Sequence, residues 1–305
     1  MGNRTRPPGL GRGPALIGAT ALVVFGALLA TAGATARARP STALYYETQT
    51  TTGVLAIDRL NLTGQRVSTQ VVALPDVGVF GITVSRGYVD WVTETAPADR
   101  GSVMRATIGG GGVRSLVSGL PAPNSLVAAG GYVYWSDQHA IGRVALDGSH
   151  LRRRFVVLPG QPGGGVADGL ATDGKHLYFT RCTEHAIGRV DLDSRRVTRT
   201  FIATGAKSCP QGIAVAGGHL YWTELGSGTI GRASLDGGAP DGRWLNIHSD
   251  QGPFQLAADA AHIYWTWGGV NGTPAYAGRA NIDRSHLKRR FVADSIYPLA
   301  LAGGS

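Results

Sequence analysis

The stretch His219-Leu220-Tyr221-Trp222-Thr223, followed seven residues later by Ile230-Gly231-Arg232-Ala233-Ser234-Leu235-Asp236-Gly237, decides how this chain folds. Close copies of the first run occur as HLYFT (176–180) and HIYWT (262–266), with looser ones as ALYYE (43–47), YVDWV (88–92) and YVYWS (132–136). The second aromatic of each copy is Tyr46, Trp91, Trp135, Phe179, Trp222 and Trp265, at spacings of 45, 44, 44, 43 and 43 residues. The second run recurs in step as IDRLNLTG (57–64), VMRATIGG (103–110), IGRVALDG (141–148), IGRVDLDS (187–194) and AGRANIDR (277–284). Its third place is always arginine: Arg59, Arg105, Arg143, Arg189, Arg232 and Arg279.

Each unit holds four strand-like runs separated by turn residues; in the fifth they are 212–217, 219–224, 229–235 and 243–247, designated A to D. Four antiparallel strands per repeat of this length are the mark of a β-propeller blade, and a blade buries its two faces only against neighbours. An all-β, six-bladed β-propeller with four antiparallel strands per blade is expected. The segment PLALAGGS (298–305) matches GIAVAGGH (212–219), which is a strand A, whereas ALYYE near the start is a strand B. The ring should therefore close by the C-terminal strand joining the N-terminal blade, with blade 1 made of residues 295–305 plus 41–74.

Outside the ring, Arg4, Arg6 and Arg12 precede an uncharged stretch over 13–36, followed by small-residue triplets at 34–36 and 36–38. Residues 1–36 read as a signal peptide, or alternatively as an uncleaved N-terminal anchor, with 37–40 a linker and 41–305 the propeller. Export to a secreted or extracytoplasmic location follows from either reading. A disulfide between Cys182 and Cys209 is then the default, because both fall at the channel-mouth face of adjacent blades. The formal charge of +9 falls to +6 without residues 1–36, which hold three arginines and no acids. Such a balance gives only weak support for anionic partners.

The Tyr-Trp-Thr runs followed by I-G-R-x-x-L-D-G resemble the YWTD (class B) repeats of the low-density lipoprotein receptor family, across the whole ring. The resemblance implies a six-bladed fold that works by protein recognition and not by catalysis. The acid that closes the family motif remains only as Asp137 and Glu224; Arg181 and Trp267 stand in its place elsewhere. No cysteine-rich module flanks the ring, so lipoprotein binding does not carry over.

Repeat register sorts the polar residues. Seven of the eight histidines occupy equivalent places on different blades and diverge round the ring, and His248 stands alone, so no metal site and no cofactor is expected. The six frame arginines should pack their stems and bond groups between blades. Basic runs at 152–154, 195–196 and 288–290 open the outer strands D, where charge blunts edge pairing. Their functional reading is contact with an anionic surface polymer; nucleic acid is not expected, and a membrane only if the N-terminal segment stays attached.

Eleven residues before each second aromatic, strands A should open onto the channel mouth. The ring so defined is Tyr297, Phe80, Asn124, Asp168, Gln211 and Phe254, from blade 1 to blade 6. It divides into a polar half and an aromatic half, beside longer B–C loops such as 95–101 and 268–276, and Asp168 is its one acid. The expected function is an exported, non-catalytic binding propeller that takes a protein, peptide or glycan ligand at this face. The alternative is a metal-dependent, lactonase-like hydrolase at the same mouth, for which a single acid supplies little charge. A histidine-based lyase lacks its base, and no G-x-S-x-G element, zinc spacing or phosphate-cradling loop occurs.

Overall fold

A computed structural model describes residues 43–49, 55–62, 64, 66–74, 78–94, 100–137, 140–158, 167–247, 252–268, 275–292 and 297–302. The proposed leader, His248 and most of the long B–C loops lie outside the described residues. No helix among the described residues is long and apolar enough to cross a membrane.

Six four-stranded antiparallel sheets form the blades. Blade 1 contains β1 (Ala43–Gln49), β2 (Leu55–Asn61) and β3 (Arg66–Leu74). Blade 2 is β4 (Gly78–Ser85), β5 (Tyr88–Glu94), β6 (Gly101–Thr107) and β7 (Arg114–Leu120); blade 3 is β8 (Leu126–Ala129), β9 (Tyr132–Ser136), β10 (Ala140–Ala145) and β11 (Arg152–Val157). Blade 4 runs through β12 (Leu170–Thr172), β13 (His176–Arg181), β14 (Ala186–Asp191) and β15 (Val197–Ala203). Blade 5 uses β16 (Pro210–Ala216), β17 (His219–Glu224), β18 (Thr229–Ser234) and β19 (Asp241–Asn246). Blade 6 comprises β20 (Pro253–Ala258), β21 (His262–Gly268), β22 (Ala275–Asn281) and β23 (Lys288–Val292).

The remaining strand, β24 (Tyr297–Ala302), pairs antiparallel with β1 from Ala43↔Ala302 to Glu47↔Tyr297, and so completes blade 1 as expected. Strands β24, β4, β8, β12, β16 and β20 each pack against the next, and the circle closes with β20 against β24.

Strand alternation explains the paired aromatics. Successive side chains leave a strand on opposite faces, so the first ring of each pair enters one blade interface and the second enters the other. Tyr134 packs between blades 3 and 4, whereas Trp135 packs between blades 2 and 3. Tyr221 and Trp222 divide in the same way between the 5/6 and 4/5 interfaces. Each interface holds one such cluster, which makes six in all among the described residues. The glycine of I-G-R is explained by close approach: a Cβ on Gly231 would sit 2.2 Å from the Trp222 ring, and one on Gly188 would sit 2.1 Å from Phe179. The large ring lies on the backbone of the neighbouring strand, where only glycine leaves room.

The frame arginines meet the expectation in part: they pack against aromatics of their own blade more than they bond between blades. Arg143, Arg189, Arg232 and Arg279 stack on Phe155, Phe201, Trp244 and Phe291 of the outer strand in their own blade. Arg279 also donates to the Leu62 carbonyl of blade 1 at 2.7 Å. The basic outer strands join blades too. Arg153 donates to the Ser118 carbonyl of blade 2 at 2.9 Å, and Arg289 to the Ile247 carbonyl of blade 5 at 2.8 Å.

Candidate functional site

A cavity of about 450 Å³ opens at the channel mouth, lined by Glu47, Gly78, Val79, Phe80, Asn124, Asp168, Gln211, Gly212, Phe254 and Gln255. Five of the six expected ring residues therefore meet in one space. The sixth, Tyr297, pairs its backbone with Glu47 at the start of β24, and its side chain lies outside the described residues.

The ring is held from blade to blade by hydroxyls at the threonine of the Tyr-Trp-Thr run. Thr223 accepts from the Gly212 N–H of its own strand A at 2.8 Å and donates to the Phe254 carbonyl of the next blade at 2.8 Å. Thr180 repeats both contacts with the Gly169 N–H and the Gln211 carbonyl. Asn124 Nδ2 donates to the Asp168 carbonyl at 3.2 Å, and Gln255 Nε2 reaches the Phe80 carbonyl at 3.4 Å.

Blade 1 breaks this pattern. Where the other blades carry Val92, Ser136, Thr180, Thr223 and Thr266, it carries Glu47. The longer side chain reaches the cavity, and Oε1 accepts a long bond of 3.4 Å from the Val79 N–H. Asp168 remains the one acid of the six expected ring residues, and Glu47 adds a second carboxyl to the cavity beside them. Glu47 stands on blade 1 and Asp168 on blade 4, three places apart in a ring of six, so they face each other across the channel. The aromatic half holds an acid as well as Phe80 and Phe254.

Burial raises the carboxyls at this mouth. Glu47 is pushed up to about 7, with only the Val79 N–H opposing the loss of water. Burial likewise raises Asp168, against the pull of the Cys182 N–H, which donates to Oδ2 at 2.9 Å, and of Arg181. Arg181 itself is buried and ion-paired with Glu184.

A carboxyl whose folded pKa exceeds its unfolded value stabilises the fold fully below the unfolded value and loses that contribution as pH rises through the folded one. For Glu47 the window runs from about 4.5 to about 7. Glu47→Gln is accordingly expected to melt like the parent protein near pH 4.5 and to be about 2–3 kcal/mol more stable at pH 8. Urea unfolding at the two pH values checks this, and equal stabilities at pH 8 would remove the acid from a desolvated site.

The expected disulfide joins Cys182, in the turn after β13, to Cys209, just before β16. It flanks the polar side of the mouth: the Cys182 N–H holds Asp168, and Gln211 Nε2 lies 3.4 Å from Cys209 Sγ. Among the described residues no three His, Cys, Asp or Glu side chains gather as a metal site. Nor does any lysine, arginine or histidine among the described residues line the cavity.

No protein-family model matches the sequence, and no curated protein matches it. Solved structures do resemble the fold. A chain of a nidogen/laminin complex aligns with a TM-score of 0.64 at 18% identity, covering 86% of this chain and 98% of that one. TolB from Acinetobacter baumannii aligns at 0.62 with 13% identity, over 86% of this chain and 67% of its own. A candidate 6-phosphogluconolactonase from Bacteroides uniformis aligns at 0.56 with 17% identity, over 81% of both chains. At such identities the likeness is one of fold, and by its repeats, its sheets and these neighbours the chain is a six-bladed β-propeller closed by β24 against β1.

Proposed function

We propose that this chain is an exported, non-catalytic binding propeller that takes a polar group of a protein, peptide or glycan into the channel mouth. The observation that carries the reading is the cavity itself. Phe80, 41% exposed, and Phe254 offer ring surface beside Asn124, Asp168 and Gln211, an arrangement suited to holding a small polar group by stacking and hydrogen bonds. The residues 1–36 act as leader or anchor in this reading, and the Cys182–Cys209 bridge suits an oxidising compartment. The nidogen/laminin neighbour is consistent with a protein partner.

Glu47 favours one second reading. Two carboxylates with Asn124 and Gln211 come nearer to the oxygen ligands of a metal-dependent, lactonase-like hydrolase than the single acid expected from the sequence. Elemental analysis separates the two: stoichiometric calcium with lactone hydrolysis supports the hydrolase.

Peptide and glycan arrays supply the ligand for the direct test. Asp168→Ala and Phe254→Ala are each expected to weaken its binding by about 1–3 kcal/mol and to leave the melting temperature unchanged. Normal binding by both variants would move function away from the mouth. Stability lost together with binding would make the ring mere packing.

A further inference from the structure

We propose that the channel mouth selects an organic cation, an alkylammonium or guanidinium group, held between Glu47 and Asp168 and against the rings of Phe80 and Phe254. This inference rests on the cavity being a binding site and names the chemistry of its ligand.

The charge of the described lining points one way. Asn124, Gln211 and Gln255 each turn an amide N–H toward a protein acceptor: the Asp168 carbonyl, Cys209 Sγ and the Phe80 carbonyl. Glu47 and Asp168 each receive one backbone N–H and, when ionised, keep further acceptor capacity. Among the described residues no basic side chain lines the space; Arg181, paired with Glu184, acts on Asp168 from outside the lining, and burial and the Val79 N–H are what act on Glu47. Each amide keeps a second N–H and an oxygen, but the two carboxylates are the charged groups among the described lining residues, so the site favours a ligand that brings positive charge with N–H donors. The opposed carboxylates suit a group with donors on more than one side, and the exposed ring of Phe80 suits a cation that sheds water readily. A hard divalent ion gains nothing from the rings and asks for more carboxylates.

The charge balance makes binding proton-linked. Glu47 and Asp168 are the titratable side chains among the described lining residues; the Val79 N–H faces the first, and the Cys182 N–H with Arg181 the second. A cation needs the ionised carboxylate, so a free protein with Glu47 near 7 must give up a proton to bind below that pH. Affinity should rise roughly tenfold from pH 6 to pH 8, as the competent fraction rises.

Calorimetry on the full chain tests this with acetyl-Gly-Arg-Gly-amide, its neutral counterpart acetyl-Gly-citrulline-Gly-amide, spermidine and calcium chloride, at pH 6 and 8. The arginine peptide is expected to bind at least tenfold more tightly than the citrulline peptide, with the pH dependence just given. Glu47→Gln should weaken it and flatten that dependence, while Phe80→Ala should weaken it and leave the dependence in place. Tighter binding of the arginine peptide than of spermidine assigns the cation to a peptide side chain, and the reverse assigns it to a free polyamine. Equal binding of arginine and citrulline, a flat pH profile in the parent protein, no binding of either cation at pH 8, or displacement of both by stoichiometric calcium would each overturn the inference. Array ligands that need Asp168 and Phe254 but carry no basic group would overturn it and leave the proposed binding function standing. An absence of any ligand for the mouth would remove both.

Discussion

A chain ending at residue 296 is expected to be recovered as aggregate, or to unfold without a cooperative transition. The deletion removes β24, the inner strand of blade 1, and leaves the inner edge of β1 unpaired between blades 6 and 2. Each strand hydrogen bond contributes about 1 kcal/mol net, and the lost ladder is comparable with the whole stability of an ordinary domain, about 5–15 kcal/mol. The exposed edge also invites pairing with other chains. A rearranged chain guards against a trivial failure. Residues 297–304 placed directly before Ala43 give Ala302-Gly303-Gly304-Ala43, which copies the Ala216-Gly217-Gly218-His219 turn of blade 5. That turn uses positive φ at both glycines, 53° and 75°. The rearranged protein, with its break moved to the link between blades 6 and 1, should fold and melt near the parent temperature. A truncated protein with an unchanged melting temperature would show that the ring does not depend on β24.

The second large effect lies in blade 2, where Arg105→Met is expected to cost about 3–5 kcal/mol. In blades 3 to 6 the frame arginine stacks on an aromatic of the outer strand; in blade 2 that place holds Val117, and Asp90 replaces the first aromatic of the pair. An ion pair stands in for both. Arg105 and Asp90 are 1% and 0% exposed, and Nε and Nη2 donate to the carboxylate at 2.6 and 2.8 Å. Nη1 donates to the Leu146 carbonyl of blade 3, and the guanidinium lies 4.6 Å from the Tyr88 ring. Burial already raises the Asp90 carboxyl despite the guanidinium beside it, so without Arg105 the charge would be stranded. Arg105→Met/Asp90→Asn should recover much of the loss, and the gap between single and double variants measures the coupling. A single variant costing under about 1 kcal/mol would show that the pair contributes little to the blade 2/3 contact.

The fold was legible because its physics repeats. A Tyr-Trp pair must feed two interfaces, a glycine must lie under the Trp ring, and an arginine must cover the outer aromatic; blades 3 to 6 carry close versions of this set, and all six keep the period and the arginine. The channel ring was legible for the same reason, since register alone brings Phe80, Asn124, Asp168, Gln211 and Phe254 together. Glu47 escaped because the repeat teaches one to expect a hydroxyl there, tied between strands. Its signal was present as a single acid among Val, Ser and Thr. The closing acid of the motif shows the same logic from the other side. Asp137 and Glu224 accept from Trp135 Nε1 at 3.4 Å and Trp222 Nε1 at 2.7 Å, whereas Nε1 of Trp91 and Trp265, in blades without the acid, has no partner among the described residues. Trp267, which replaces one of these acids, donates its own Nε1 to the Arg289 carbonyl at 2.8 Å.

The pairing of β24 with β1 also sets a schedule. During synthesis β1 emerges before every other strand of the ring and β24 after them all, so the nascent molecule carries an open seam until the final blade is out. Joining residues so far apart adds little to the thermodynamic cost, because loop closure grows only logarithmically with length, but it delays completion. Glu47 belongs to the strand that waits, and its register with β24 shifts at Tyr46/Glu47, so the mouth gains its second acid in final form only when the seam is sealed. The act that guards the molecule against stray pairing thus also sets the mouth in its final shape, and a chain cut short gains neither.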